Sequence, residues 1–121
     1  MIPLEAKRHT LAHLLAAAVS DLFKDEDEPI RLAIGPAVAD GFYYDIDLGP
    51  KRKISTEDLP RIEKKMRELL KTWTRMEGKE VDAQTAKDWA GTNVFKRELI
   101  DDIIARGDTI TFYTAGGFTD L

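Results

Sequence analysis

RHTLAHLL, residues 8–15, holds both histidines of the chain, four residues apart. Leucines recur through and beyond it at intervals of three and four, which predicts a helix from about residue 4 or 5 to residue 23. Residues four apart share a helix face, so the imidazoles of His9 and His13 are expected to lie side by side. Small residues continue the helix face that carries the two histidines, which favours a position of the imidazoles at a cleft over a position in the core. These are Ala16, Ala17 and Ser20.

The histidine pair has two other interpretations. Both side chains can be ordinary half-buried histidines, or they can be zinc ligands. The helix lacks the glutamate of zinc-protease helices and the chain has no cysteine, so a third ligand would have to come from elsewhere, with Asp120 as the candidate. We therefore predict no metal site in this chain, and name His9 and His13 as the ligands of one if it exists.

Length and composition indicate one small domain. The chain has 121 residues, of which 43% are hydrophobic and 33% charged, as in ordinary globular proteins. It has neither an apolar run of roughly 18 residues nor a secretory signal, so we expect a cytoplasmic protein with no membrane partner. A net charge of −4 argues against bulk electrostatic binding of nucleic acid. Two groups of basic residues are either local RNA contacts or solvated faces of a turn and a helix. They are Lys51-Arg52-Lys53 and the series Arg61, Lys64, Lys65, Arg67 and Lys71.

The rest of the chain alternates between strand and helix patterns. Residues 30–34 and 41–47 predict an antiparallel pair turned at Asp40-Gly41. Ser55 predicts the start of a second helix over 56–74, whose apolar stripe is Leu59, Ile62, Met66, Leu69, Leu70 and Trp73. The later predicted elements are a strand over 75–81 with a bulge at Gly78, helices over 83–90 and 94–105 capped by Asp82 and Asn93, a strand over 109–114 and a last strand from Phe118.

Segregated helices and hairpin-type strands predict an α+β fold, with a mainly antiparallel sheet packed against two long helices and two short ones. A single core is expected between the sheet and the first two helices. Its predicted members are Leu11, Leu14, Leu15, Val19, Ile34, Phe42, Ile62, Met66, Leu69, Trp73, Leu99, Ile103, Ile110 and Phe112.

Five separated stretches together resemble one family, the editing domain of threonyl-tRNA synthetases, also called the second additional domain. The resemblance covers essentially the whole chain, residues 1–121, and the Gly-Phe-Tyr-Tyr-Asp stretch favours the threonyl over the alanyl branch. In that family the domain hydrolyses serine mistakenly attached to threonine tRNA. The stretches are RHTLAHLL at 8–15, Ile34-Gly35-Pro36, DGFYYD at 40–45, FKRELI at 95–100 and Phe118-Thr119-Asp120-Leu121.

The resemblance implies roles for five residues. It makes His9, His13 and Lys96 catalytic, and it places Tyr44 beside the aminoacylated end of the tRNA and Asp120 near the amino acid. Histidine can position or deprotonate water, lysine can offset negative charge, and aspartate can pair with an ammonium group. By residue type alone, Tyr44 is equally a core residue, Lys96 a solvated helix residue and Asp120 a hydrogen bonder at a strand end.

The family motif continues past Asp-Leu into Cys-x-Gly-Pro-His. We therefore expect a C-terminally incomplete editing domain that folds but does not hydrolyse the ester alone. The resemblance implies as partners the acceptor end of tRNA(Thr) and seryl-tRNA(Thr), a monomeric chain and a homodimeric parent ligase. No cofactor is expected in this chain, and ATP, Mg and zinc are implied for the catalytic domain of the parent. The alternative is a non-catalytic module that binds the acceptor end.

Overall fold

The computed structural model describes residues 4–24, 30–35, 37–50, 52–73 and 75–121. The chain divides into two compact units, Met1–Thr72 and Trp73–Leu121. Helices and antiparallel sheets make up both, which confirms the α+β class. In the described part of the chain, none of the helices has the length and apolar character needed to cross a bilayer.

The first unit is built on two helices, α1 (Leu4–Leu22) and α2 (Leu59–Leu70). The first agrees with its predicted range. Helix α2 follows a single 3-10 turn, Thr56–Asp58, in which the Asp58 carboxylate accepts the Ser55 backbone N–H at 2.9 Å. It ends four residues before the predicted position, and Trp73 lies beyond it.

The segments predicted as one hairpin form two short ladders. Strand β1 (Arg31–Leu32) pairs with β4 (Ile46–Asp47), and β2 (Ala37–Val38) pairs with β3 (Gly41–Phe42). The predicted antiparallel pairing is thus confirmed. Among the described residues the tight turn between β2 and β3 contains no positive φ, so Gly41 is not needed there for a left-handed conformation.

The second unit is a three-stranded antiparallel sheet with two helices. Its strands are β5 (Glu77–Val81), β6 (Ile110–Ala115) and β7 (Phe118–Asp120), in that spatial order. Its helices are α3 (Ala83–Ala90) and α4 (Val94–Ala105), at the predicted positions. The predicted bulge at Gly78 is wrong, because Gly78 pairs regularly with Tyr113.

Among the described residues, two separate clusters of buried apolar side chains are seen, one in each unit, where a single core was predicted. The first gathers Val19, Leu48 and Ile62 with partly buried neighbours that include Met66 and Leu69. The second gathers Ala86, Ala90, Ile100 and Ile110 with neighbours that include Ile103 and Phe112.

Two residues assigned to the core are exposed, Leu11 by 36% and Ile34 by 44%. Helix α1 instead buries seven residues between Ala12 and Val19, which lie around most of its circumference, and four of them are alanines. No single apolar stripe therefore marks the buried side of this helix. The side chains that pack beside the first cluster from the strand region are Ile30 and Ile46, and Ile34 is not among them.

Candidate functional site

The two histidines of α1 form one hydrogen-bonded unit. Their Nε2 atoms are 3.0 Å apart, and their rings meet edge to face with centroids 4.5 Å apart. Because a hydrogen bond needs one donor and one acceptor, one Nε2 carries the proton and the other accepts it. The two imidazoles therefore lie side by side as a hydrogen-bonded pair, as their spacing of one helical turn predicted.

Burial distinguishes the two imidazoles. His13 is only 3% exposed, whereas His9, one turn earlier, is half-buried. The small residues expected to face a cleft are packed instead, since Ala16 and Ala17 are both buried. The prediction that the histidine-bearing face of α1 lines a cleft is therefore wrong at Ala16 and Ala17. His9 is the member of the pair that solvent or a ligand reaches more easily.

Tyr44 lies between β3 and β4 with its ring against the backbone of Gly35. A Cβ atom on Gly35 would be 2.7 Å from Cε2 and 2.8 Å from Cγ of that ring. The next residue, Asp45, anchors the segment by accepting the Ala33 N–H at 3.0 Å and donating its own N–H to the Ile34 carbonyl at 2.8 Å. Tyr44 is half-buried, so it is neither a full core residue nor a freely exposed one.

Lys96 and Asp120 form a buried ion pair in the second unit. Lys96 Nζ is 2.9 Å from Asp120 Oδ1, and both side chains are almost completely buried. Asn93 caps α4 by accepting the Lys96 N–H, which places Lys96 in the first turn, while Asp120 is held at the end of β7 opposite Tyr113. Lys96 is therefore not the solvated helix residue that its type suggested.

Burial lowers the pKa of the Lys96 amino group below its ordinary value of 10.5, because desolvation penalises the charged form. The Asp120 carboxylate acts in the opposite direction, by charge and by hydrogen bonding. Desolvation is the larger effect. The site therefore holds a lysine that gives up its proton more readily than a surface lysine does.

The structure brings the predicted residues together in two groups. His9 contacts His13 in the first unit, and Lys96 contacts Asp120 in the second. Sequence reasoning missed the contact between Gly35 and Tyr44, because Gly35 follows the predicted strand 30–34 and is not inside it. It also missed Arg8, whose Nη1 donates to the Ala39 carbonyl at 2.7 Å.

No three histidine, aspartate or glutamate side chains cluster as metal ligands among the described residues. The described residues therefore supply no third ligand beside His9 and His13, and the absence of a metal site stays a prediction.

Many of the basic side chains considered for RNA binding have partners within the chain. Arg52 donates to the carbonyls of Leu48 and Phe23, and Lys65 lies 3.0 Å from Asp21. Lys51 is outside the described residues. These contacts favour the alternative of structural and solvated positions. Further ion pairs are Arg61 with Asp58, Lys65 with Glu68 and Arg67 with Glu63.

Comparison with known proteins places this α+β chain beside ligases that attach an amino acid to tRNA. The similar proteins are threonine--tRNA ligases. The one from Thermotoga neapolitana is 43% identical over 117 residues, which are 97% of this chain and 18% of that protein. The ligase from Thermus thermophilus is 43% identical over 94% of this chain and 18% of its own length, and that from Staphylococcus carnosus 39% over 98% and 17%.

The matches confirm the resemblance to threonyl-tRNA synthetases that the sequence motifs indicated. They cover nearly the whole chain, which spans less than a fifth of the length of these relatives. No family model matches the chain.

Proposed function

We propose that this chain is a segment of a threonine--tRNA ligase, and that this segment removes serine from wrongly charged tRNA(Thr). The observation that carries the proposal is the match of 97% of the chain to one segment of a threonine--tRNA ligase at 43% identity. The hydrogen-bonded histidines on α1 support the hydrolytic part of the proposal. A cytoplasmic location and tRNA as the partner go with it.

The need for hydrolysis follows from the chemistry of the amino acids. Serine is threonine without one methyl group, and one methyl group is worth only about 1–3 kcal/mol of discrimination in a binding pocket. A ligase that selects threonine therefore also activates some serine. A second site that destroys the wrong product lowers the error rate.

The reaction is the hydrolysis of the ester between the seryl carboxyl group and a hydroxyl of the terminal ribose. Water attacks the carbonyl carbon, one of its protons passes to a base, and the ribose oxygen leaves after receiving a proton. We assign the base to the histidine pair. The half-buried His9 faces the water, and the buried His13 fixes the orientation of His9 through the bond between the two Nε2 atoms.

Lys96 and Asp120 supply charge in this proposal. The Lys96 ammonium offsets negative charge on the attacked carbonyl or on the terminal phosphate, and Asp120 pairs with the ammonium group of the seryl moiety. Their contact at 2.9 Å holds both side chains in place, and because both are buried the substrate reaches them only when neighbouring groups move. No metal or cofactor takes part in this scheme. ATP, Mg and zinc belong to the ligation reaction of the parent.

The second candidate is a module that binds the acceptor end of tRNA without hydrolysing the ester. It is favoured by the burial of His13 and by the mutual hydrogen bond of the two imidazoles, which a purely structural pair would also show. In that case replacing the histidines by alanine changes the stability of the chain, while tRNA affinity and ester lifetime stay the same.

The decisive experiment replaces the corresponding segment of the Thermotoga neapolitana ligase with this chain and measures release of serine from seryl-tRNA(Thr). We expect hydrolysis well above the uncatalysed rate, lost in both His9→Ala and His13→Ala. Lys79→Ala, an exposed change in β5, is the matched control and should keep the rate. Serine release by the folded chimera at the uncatalysed rate would refute the hydrolase.

The isolated 121-residue chain is a second arm of the same experiment. We expect it to fold, as followed by circular dichroism, and to hydrolyse little or no ester. The family motif includes a cysteine and a third histidine that this sequence does not contain, and groups that act as a unit lose activity together. Equal rates for chain and chimera would assign the chemistry to the residues of this chain alone.

A further inference from the structure

The registers of the two ladders in the first unit differ by one residue. Arg31 pairs with Asp47 and Leu32 with Ile46, whereas Ala37 pairs with Phe42. Four positions therefore separate Leu32 from Ala37 on one side, and only three separate Phe42 from Ile46 on the other. One extra residue between two ladders is the defining count of a β-bulge, a device that re-aims side chains next to functional sites.

The extra residue lies in the segment that contains Gly35, and Tyr44 lies opposite. Asp45 exchanges backbone hydrogen bonds with two consecutive residues, Ala33 and Ile34, which pins the backbone directly beside both Gly35 and Tyr44. The ring of Tyr44 occupies the space where a side chain at position 35 would begin. Any residue other than glycine would displace the ring or the strand.

We propose that Gly35 is a positioning residue that acts through Tyr44, so that the bulge and the bare Cα of Gly35 together set the orientation of the tyrosine ring. The inference rests on the proposed function for what the ring contacts, which is the terminal nucleoside of the tRNA. A side chain that is ordered before binding saves the entropy of immobilisation when the ligand arrives. Residue 35 therefore governs substrate affinity without touching the substrate.

Fluorine NMR of the full chain labelled with 3-fluorotyrosine tests the orientation directly. The chain has three tyrosines, so three signals are expected, assigned with Tyr→Phe variants. Gly35→Ala should shift the Tyr44 signal and leave that of Tyr113 in place. Gly78→Ala is the matched control, because its Cβ would lie 3.4 Å from the Tyr113 ring, an ordinary contact distance. It should leave the Tyr44 signal unchanged.

An unchanged Tyr44 signal in folded Gly35→Ala would overturn the proposal. If Gly35→Ala does not fold, the double variant Gly35→Ala/Tyr44→Ala decides, because removal of the ring makes room for the new methyl group. Recovery of folding in the double variant supports the proposal. Failure of the double variant to fold, while Tyr44→Ala alone folds, would show that residue 35 acts through something other than Tyr44.

Kinetic measurements distinguish a positioning role of Gly35 from general damage to the fold. In the chimeric ligase, Gly35→Ala should raise KM for seryl-tRNA(Thr) about two- to tenfold, the range expected when one side chain must be ordered on binding. The value of kcat should change far less. A fall in kcat with constant KM would contradict the proposal. Absence of hydrolysis in the unmodified chimera would refute the proposed function alone, because the fluorine signals do not depend on activity.

Discussion

At the scale of single residues, the buried contact between Lys96 and Asp120 is the most demanding feature of the chain. Transfer of two charges from water to the interior costs several kcal/mol for each ion, and their attraction offsets this only when the geometry is good. A Lys96–Asp120 distance of 2.9 Å meets that condition. A buried ion pair of this kind adds little net stability, and its main effect is to fix the positions of the two side chains.

Removal of either partner should therefore be costly. Lys96→Met and Asp120→Leu should each lower the free energy of unfolding by about 3–5 kcal/mol, because each leaves the other charge buried without this counter-charge. The double variant should be less destabilised than either single one. Urea denaturation of the four proteins measures this.

The exposed pair Arg106 and Asp108, 3.1 Å apart with both side chains about 60% exposed, provides the matched control. Arg106→Met should change the unfolding free energy by no more than about 1 kcal/mol, since solvent screens surface pairs. Similar costs for Lys96→Met and Arg106→Met would mean that burial does not govern the Lys96 contact.

At the scale of the element, α2 shows which part of an apolar stripe is used. Counted at 3.6 residues per turn, Leu59 and Leu70 lie on one side of the predicted stripe and Ile62 lies on the other side. The two leucines are more than half exposed, whereas Ile62 is 4% exposed. The partner surface in the first unit is therefore narrower than the stripe.

Alanine substitutions in α2 should follow this pattern. Ile62→Ala should cost about 2–5 kcal/mol, because it removes packed methyl groups and leaves a cavity. Leu70→Ala, the control on the same helix, should stay within about 0.5 kcal/mol. Thermal or urea unfolding distinguishes the two, and equal costs would mean that the buried face of α2 is assigned wrongly.

Helices α1 and α2 are also joined by an ion pair whose strength depends on pH. The hydrogen bond from Lys65 holds the pKa of Asp21 below its ordinary value of 3.8, and Asp21 in turn raises the pKa of Lys65 above 10.5. For Asp21 the stabilisation is fully present above pH 3.8 and is lost as the pH falls through the lower, folded-state pKa. For Lys65 it is fully present below pH 10.5 and is lost as the pH rises through the raised folded-state pKa.

A double-mutant cycle of Asp21→Asn and Lys65→Met should therefore show a coupling free energy that changes with pH. We expect a small coupling at neutral pH, which fades at pH values progressively below 3.8 as Asp21 takes up a proton. Urea unfolding of the four proteins across this range is the measurement. Coupling of equal size at neutral and acid pH would contradict the assignment.

At the scale of the whole molecule, charge limits how the chain can hold RNA. The net charge is −4, with a sequence pI of about 5.2, and several basic side chains of α2 are paired with acids. An acidic chain has little long-range attraction for phosphate groups. Under the proposed function, this segment would therefore recognise tRNA mainly through local contacts.

The affinity of the chain for tRNA should accordingly depend weakly on salt. Each phosphate contact contributes about −0.7 to −0.9 to the slope of log K against log salt concentration, so we expect a total slope between about −1 and −3. Fluorescence anisotropy with labelled tRNA over a salt series provides the value. A slope steeper than about −6 would indicate an extended basic surface that the ion pairs do not suggest.

The sequence by itself determined the elements with strong local signals. Helix α1 follows from leucine spacing, α3 and α4 from the caps Asp82 and Asn93, and β6 from its β-branched and aromatic residues. The contact of His9 with His13 was equally predictable, because four residues make about one helical turn. Periodicity and capping are local properties, so no knowledge of distant neighbours was required.

Only the tertiary structure decided what is buried and what lies opposite it. Among the described residues, the buried apolar side chains form separate clusters in the two units. The burial of Lys96 against Asp120 and the contact of the Tyr44 ring with Gly35 join positions that are far apart in sequence or lie across a shifted register. The bulge was predicted at Gly78 and occurs near Gly35, because register depends on which strands pair and not on glycine alone. Burial and pairing depend on partner surfaces, which a local pattern does not contain.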